Sequence, residues 1–247
     1  SWTRAWEFDT LANQYVVLQP ETGASVEVGK GYYLAVPGDT RIVVSAPTVT
    51  STADAVDANP GDGVCDDGAG RCTLRAAIME ANALAGPDSI TVPTGTYTLT
   101  PGSELAISSD VTLIGAGATT TIIQAAGSSA DATSRVFNIT GGNVAISRVT
   151  IRHGKADRGA GLLVGASTLT LSNVTVTDNI ADRRGGGVYN NSGTVILSNS
   201  TISRNTMPTM SPSQDGSGGM YNHTGLSMTI INSSIRDNGT GGGSEAA

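Results

Sequence analysis

Between Val144 and Asn238 the chain repeats itself, and this constrains its fold more than any other feature. Three blocks align: Asn173-Val174-Thr175-Val176-Thr177-Asp178-Asn179, Asn199-Ser200-Thr201-Ile202-Ser203-Arg204-Asn205 and Asn232-Ser233-Ser234-Ile235-Arg236-Asp237-Asn238. A weaker copy, Arg148 to Gly154, precedes them. Successive offsets are 25, 26 and 33 residues, the last lengthened by a polar Met/Pro/Ser insert from Thr206 to Ser217. A period in this range indicates stacked units, each burying its apolar side only against its neighbours. Such stacks offer long lateral surfaces more readily than one deep pocket.

Apolar residues alternate within each block, as at Leu169, Leu171, Val174 and Val176 or Val195, Leu197 and Ile202. Period two means short strands with one face inward. The three-residue step from Leu171 to Val174 turns a corner, and a second corner follows at Thr177-Asp178-Asn179. Its last register holds Gly154, Asn179, Asn205 and Asn238, residues that tolerate left-handed backbone cheaply, so the left-handed bend is expected there. Stacked strands lie about 4.8 Å apart, which predicts a ladder of hydrogen-bonded side-chain amides from Asn173, Asn199 and Asn232, with Asn179, Asn205 and Asn238 as a second structural file. The fold class that follows is all-β, a right-handed parallel β-helix over 89–247. An antiparallel sandwich would instead show hairpin turns every 8–12 residues or so.

A stack with a bare apolar end aggregates, so a capping unit is expected. Thr73 to Gly86 reads as a helix: Leu74, Ala77, Ile78, Ala81 and Leu84 share a face, Thr73 can cap the start, and Gly86-Pro87 ends it. Upstream lie the two cysteines, Cys65 and Cys72, whose seven-residue spacing suits a small disulfide loop in an oxidising compartment. Cys72-Thr73-Leu74-Arg75-Ala76-Ala77-Ile78, preceded by Asp62-Gly63-Val64-Cys65-Asp66, resembles the cysteine–Ser/Thr–Leu–Arg–x–Ala–Ile cap that introduces β-helical repeats in secreted or surface-anchored bacterial proteins. The Gly-Gly-Gly-Val-Tyr and Ser-x-x-Asn elements are similar to the repeats of polymorphic outer-membrane proteins and related adhesins. The resemblance spans residues 50 to 243. It implies a fold and an extracellular address and brings no catalytic residues.

The chain is acidic, with net charge −7, and only 14% of its residues are charged. It has two lysines, Lys30 and Lys155, and no basic patch, which argues against nucleic acid or anionic membrane as partner. No apolar run reaches the length of a membrane span. Residues 1–47 carry six of the ten aromatics and read as a partial small β-sandwich module. A linker over 48–56, a disulfide loop and capping helix over 57–88, and the coils over 89–247 complete the domain plan. Both ends read as truncated, or as completed by another subunit, so self-association is one expectation.

The turn Asp57-Ala58-Asn59-Pro60-Gly61-Asp62-Gly63, with Asp66 and Asp67 beyond, crowds oxygen atoms. Asp57, Asn59, Asp62 and Asp66 are thus candidate calcium ligands, although the spacing misses the regular calcium loop by one residue. The competing reading is a solvated Asx-rich turn; no other cofactor is implied. Asp157 and Asp182 occupy matching Ala-Asp-Arg contexts 25 residues apart, so stacking could place their carboxylates about 5 Å apart, as in a retaining glycosidase. The arginines that follow them favour salt-bridged surface carboxylates instead. His153 reads as an exposed corner residue pairing with Asp178, and the file Asp178, Arg204, Asp237 as charge compensation between coils. The outward file Thr150, Thr175, Thr201 and Ser234 is ordinary β-branched strand preference. The expected function is a structural or adhesive stalk of a secreted or cell-surface protein, meeting carbohydrate or a neighbouring cell surface. The alternatives are a carbohydrate-active β-helix enzyme and a self-assembling extracellular fibre.

Overall fold

In the computed structural model of the chain, the described residues are 6–7, 17–18, 26–27, 32–33, 47–100, 102–208, 216–223 and 226–240. From Asp88 onward the chain winds as six coils of parallel strands, stacked in register. The first sheet runs Leu105–Ile107, Phe137–Ile139, Leu162–Val164, Val188–Asn190 and Met220–Asn222. A second, six-stranded sheet starts with Asp88–Val92 and ends with Ser227–Ile231. The third starts with Gly95–Thr98 and ends with Ser234–Arg236. A fourth, short sheet joins Lys155–Arg158, Ile180–Arg184, Thr206–Met207 and Gly239–Thr240. Partners in the third sheet are Thr96, Ile122, Thr150, Thr175, Thr201 and Ser234, steps of 26, 28, 25, 26 and 33 residues. The fold is a parallel β-helix, and its repeat extends two coils upstream of the recognisable motif.

The alternation buries as the pattern requires. Leu169, Leu171, Val176, Val195, Leu197 and Ile202 are fully buried in files along the axis, and Val174 follows Val149 at the corner. Burying each such side chain stabilises by about 1.5–3 kcal/mol. Backbone ladders of the four sheets connect every coil to the next.

The corners differ from the sequence-based expectation. Left-handed φ falls on His153, Asp178, Arg204 and Asp237, one residue before the Gly/Asn register, and on Arg148, Asn173, Asn199 and Asn232 at the other corner. Asn173, Asn199 and Asn232 are exposed and supply backbone conformation, not a ladder. Next to them, serine hydroxyls bridge the coils: Val174 N donates to Ser200 Oγ (3.0 Å) and Ser200 N to Ser233 Oγ (3.1 Å).

The amide ladder belongs to Asn179, Asn205 and Asn238. Asn179 N and Nδ2 both donate to Asn205 Oδ1, at 3.1 and 2.8 Å. Asn205 N and Nδ2 both donate to Asn238 Oδ1, at 3.0 and 3.1 Å. The physical reason is burial: Asn179 and Asn205 are 0% exposed, and a primary amide can satisfy a turn's backbone groups above and below at once. In the third coil, Gly154 N donates to Asn179 Oδ1 at 2.8 Å. A Cβ at Gly154 would lie 1.9 Å from the Ala160 carbonyl oxygen, so no asparagine fits there. The glycine clusters make room for the ladder: a Cβ on Gly187 would sit 3.0 Å from Asn205 Nδ2.

The helix (α1, Leu74–Ala83) closes the amino-terminal end, with Thr73 Oγ1 accepting from Ala76 N. Leu74, Ala77, Ile78 and Ala81 join the core, while Leu84 is the half-buried C-cap. Asn82 ends the first sheet by mimicking a strand: its Nδ2 donates to Ala106 O and its Oδ1 accepts from Ser108 N, both 2.8 Å. Val49, in the segment read as linker, is 1% exposed and donates to Thr91 O, so this segment lies along the edge of the first coil. Arg75 ties the cap together, with two bonds to Asp54 (2.7 and 2.9 Å) and others to the carbonyls of Glu104 and Ser103. Cys65 and Cys72 form the disulfide. In residues 1–47, Trp6–Glu7 pairs antiparallel with Tyr32–Tyr33 and Val17–Leu18 with Val26–Glu27. The rest of that segment, and with it the partial sandwich reading, lies outside the described residues, as do 209–215 of the insert and Gly241-Gly242-Gly243.

Asn205→Ala removes the acceptor of two donors on the coil below and should cost roughly 2–4 kcal/mol in denaturant unfolding. Asn199→Gly, at an exposed left-handed position, should change stability by no more than about 0.5 kcal/mol in the same assay. Arg75→Met leaves the Asp54 carboxylate without its partner and should destabilise by about 3 kcal/mol, lowering the thermal midpoint.

Candidate functional site

Every strand of the first sheet places its middle residue outward, so Ala106, Asn138, Leu163, Tyr189 and Tyr221 form one file. The Tyr189 and Tyr221 rings stack with centroids 5.5 Å apart and planes 25° apart. The Arg158 guanidinium lies 5.7 Å from the Tyr189 centroid, and that of Arg184 lies 4.9 Å from the Tyr221 centroid. These contacts leave Tyr189 only 1% exposed although it points out of the coil. A groove of about 500 Å³ runs beside the file, lined by Arg135, Asn138, Asp157, Arg158, Leu163 and Tyr189 among others. That volume is in the range of small-ligand sites. The insert leaves the fourth sheet after Met207 and rejoins the first sheet at Met220, at the corner bordering this face.

The fourth sheet sets the carboxylates. Lys155 pairs with Ile180 and Ala156 with Ala181, but Arg158 pairs with Arg184, so a bulge sets Asp157 against two residues. Asp157 Oδ1 lies 3.0 Å from Arg183 Nε and its Oδ2 lies 3.6 Å from Arg158 Nε. Asp182 shares the bulged stretch, and the contact the structure gives Asp157 is a cation. At the third-sheet corner Asp178 accepts two bonds of 2.9 Å from Arg204, which with that from Thr177 hold its carboxyl below the usual range against the opposing effect of burial. His153 meets Asp178 through the backbone, its N–H donating to the Asp178 carbonyl oxygen at 3.2 Å, while its ring Nδ1 lies 3.2 Å from the Ala126 carbonyl oxygen and Arg204 binds the Asp178 carboxylate.

The candidate calcium residues are engaged locally. Asp57 Oδ1 accepts from Asn59 N (2.9 Å), Asp62 Oδ1 from Val64 N (2.9 Å), and Asp66 Oδ1 from Gly68 N and Gly70 N (both 2.8 Å). The loop wraps Glu80, a residue the sequence reading passed over: it is 4% exposed and accepts from Gly61 N and Gly63 N. Burial raises the Glu80 pKa against those two donors, with Asp57 and Asp62 adding to it. No group of three or more His, Cys, Asp or Glu able to hold a metal occurs among the described residues. Asp88 is pushed up to about 6, first by burial and then by the Glu80 charge, and its Oδ2 is buried without a hydrogen-bond partner.

Sequence reasoning missed Tyr189, Tyr221, Arg135 and Asn138. The signal was the recurrence of Val188-Tyr189-Asn190 as Met220-Tyr221-Asn222, whose alternation sends tyrosine outward between two inward residues.

Parallel coils with a helical cap and a lateral groove define a parallel β-helix, a class that includes both structural proteins and enzymes. No protein-family model and no curated protein matches the chain. Among solved structures it is similar to ORF18 of Geobacillus virus E2, with 18% identity and a TM-score of 0.36 over 74% of this chain. The match covers 42% of that protein's chain. No helix among the described residues is long and apolar enough to cross a membrane.

Folded Asp88 holds its proton more tightly than an unfolded aspartate of pKa about 3.9, so its contribution to stability is full at low pH and declines as pH rises from about 4 through 6. Asp88→Asn should raise the thermal midpoint at pH 7 and change it little at pH 4, a difference read from midpoints of both proteins across that range.

Proposed function

We propose that this chain is a non-catalytic β-helical stalk of a secreted or cell-surface protein. The observation that supports it best is the continuity of inter-coil bonding, inside and out. The buried ladder Asn179–Asn205–Asn238 and the surface pair Asp178–Arg204 both run along the axis, perpendicular to the strands. A rod bonded this way resists bending and holds its surface features at fixed intervals. The Cys65–Cys72 disulfide is compatible with an oxidising, extracellular setting. The cap's likeness to those of bacterial surface proteins points the same way.

The enzyme alternative would place chemistry at Asp157 and Asp182. The Asp157 carboxylate is engaged by Arg183 at 3.0 Å, and the bulge breaks its direct register with Asp182. Self-association has one observation in its favour. Ile230 and Ile235 lie in inward registers, paired with Leu197 and Ile202, yet are 45% and 44% exposed.

Under force applied at the carboxyl-terminal side, the stalk should open in steps of roughly 85–115 Å, one extended coil of 25 to 33 residues each. Extension at negligible force would sink the stalk reading. Release of reducing ends or unsaturated uronate from polysaccharides, abolished in Asp157→Asn, would replace it with the enzyme. Sedimentation velocity should show whether mass grows with concentration, as association through Ile230 and Ile235 requires.

A further inference from the structure

Three of the arginines are firmly held. Arg75 makes four hydrogen bonds, Arg204 holds Asp178 through two of 2.9 Å, and Arg71 meets Asp67 at 2.6 and 2.8 Å. The two lining the first-sheet groove are different. Arg135 Nε reaches Glu104 at 3.4 Å and Arg158 Nε reaches Asp157 at 3.6 Å, and both Nε atoms are buried without a hydrogen-bond partner. Each acid already has a closer partner: Asn138 Nδ2 donates to Glu104 at 2.6 Å, and Arg183 meets Asp157 at 3.0 Å. The groove therefore holds two guanidinium groups with unfilled capacity for oxyanions, in a chain of net charge −7.

Between them lies the half-buried Leu163 side chain. Asn138, Leu163 and Tyr189 are partners on consecutive coils, so this part of the groove is about 10 Å long at the usual strand spacing, with Tyr189 covered and only Leu163 offering open apolar surface. An occupant must offer carboxylates to the arginines and a ring edge or face to Leu163. It must also be extended, because the groove follows the stack. We infer that this groove binds an acidic oligosaccharide, a chain of pyranose rings carrying carboxylates, laid along the first sheet. A ring contacts Leu163, carboxylates meet Arg135 and Arg158, and ring hydroxyls reach the amides of Asn138 and Asn191. This goes beyond the stalk reading, which requires no ligand.

The test is calorimetric titration of the chain with a galacturonate oligomer and with its methyl ester, which keeps the rings and removes the charge. The acid should bind, with affinity falling as salt rises, and the ester should bind at least tenfold more weakly. Arg135→Gln with Arg158→Gln should lose at least tenfold in affinity for the acid. Asp157→Asn, a change at a half-exposed side chain that the fold tolerates, should tighten binding several-fold by releasing Arg158 and Arg183. Equal binding of acid and ester, undiminished binding by the double variant, or no binding of the acid by Asp157→Asn would overturn the assignment. A negative result here leaves the stepwise force response intact, so the two readings fail separately.

Discussion

A buried amide that donates to one coil while accepting from another is the interaction on which this fold depends. Hydrophobic files alone would let one coil slide over the next, since Val, Leu and Ile give contact without direction. Asn179, Asn205 and Asn238 fix the register. Asn205 and Asn238 Oδ1 each accept from a backbone N–H and a side-chain Nδ2 of the preceding coil, Asn179 Oδ1 accepts from Gly154 N, and slippage by one residue would strand these groups in a dry interior. The serine file Ser200 and Ser233 does the same at the opposite corner with hydroxyls. Packing supplies most of the stabilisation, and the polar ladders make the stack single-valued.

Much of this was legible in the residues. Alternation gave the strands, the period gave the stack, and Thr73 to Gly86 gave the cap with its start correctly placed at Thr73. Ladders were expected on both asparagine registers, and only Asn179, Asn205 and Asn238 form one. Both asparagine registers are compatible with a left-handed corner by composition, and only burial separates them. Asn173, Asn199 and Asn232 face solvent, so conformation is their whole contribution. The left-handed positions at the other corner are His153, Asp178, Arg204 and Asp237, one residue before the Gly/Asn register that drew attention, although His and Asp are themselves enriched at positive φ. Their strain is offset in part by the Asp178–Arg204 bridge that this backbone geometry presents.

The groove was less legible, because its residues come from three places in the chain. Arg135 precedes a strand, Arg158 ends one, and Tyr189 is the centre of another. No spacing rule links them; only the winding does. The bulge between Ala156 and Arg158 was likewise invisible, but the salt-bridged surface carboxylate that the neighbouring arginines suggested is what Asp157 is, 3.0 Å from Arg183.

Gly187 and Asn205 touch although eighteen residues separate them, and Gly161 stands in the same relation to Asn179. Each lap therefore carries both halves of its own fit, and its upper and lower junctions are chemically alike. Duplicating or deleting one whole lap would leave its former neighbours with the same partners as before. Rod length is thus adjustable in whole-lap increments without redesign of the interior, a freedom denied to folds whose cores close on themselves.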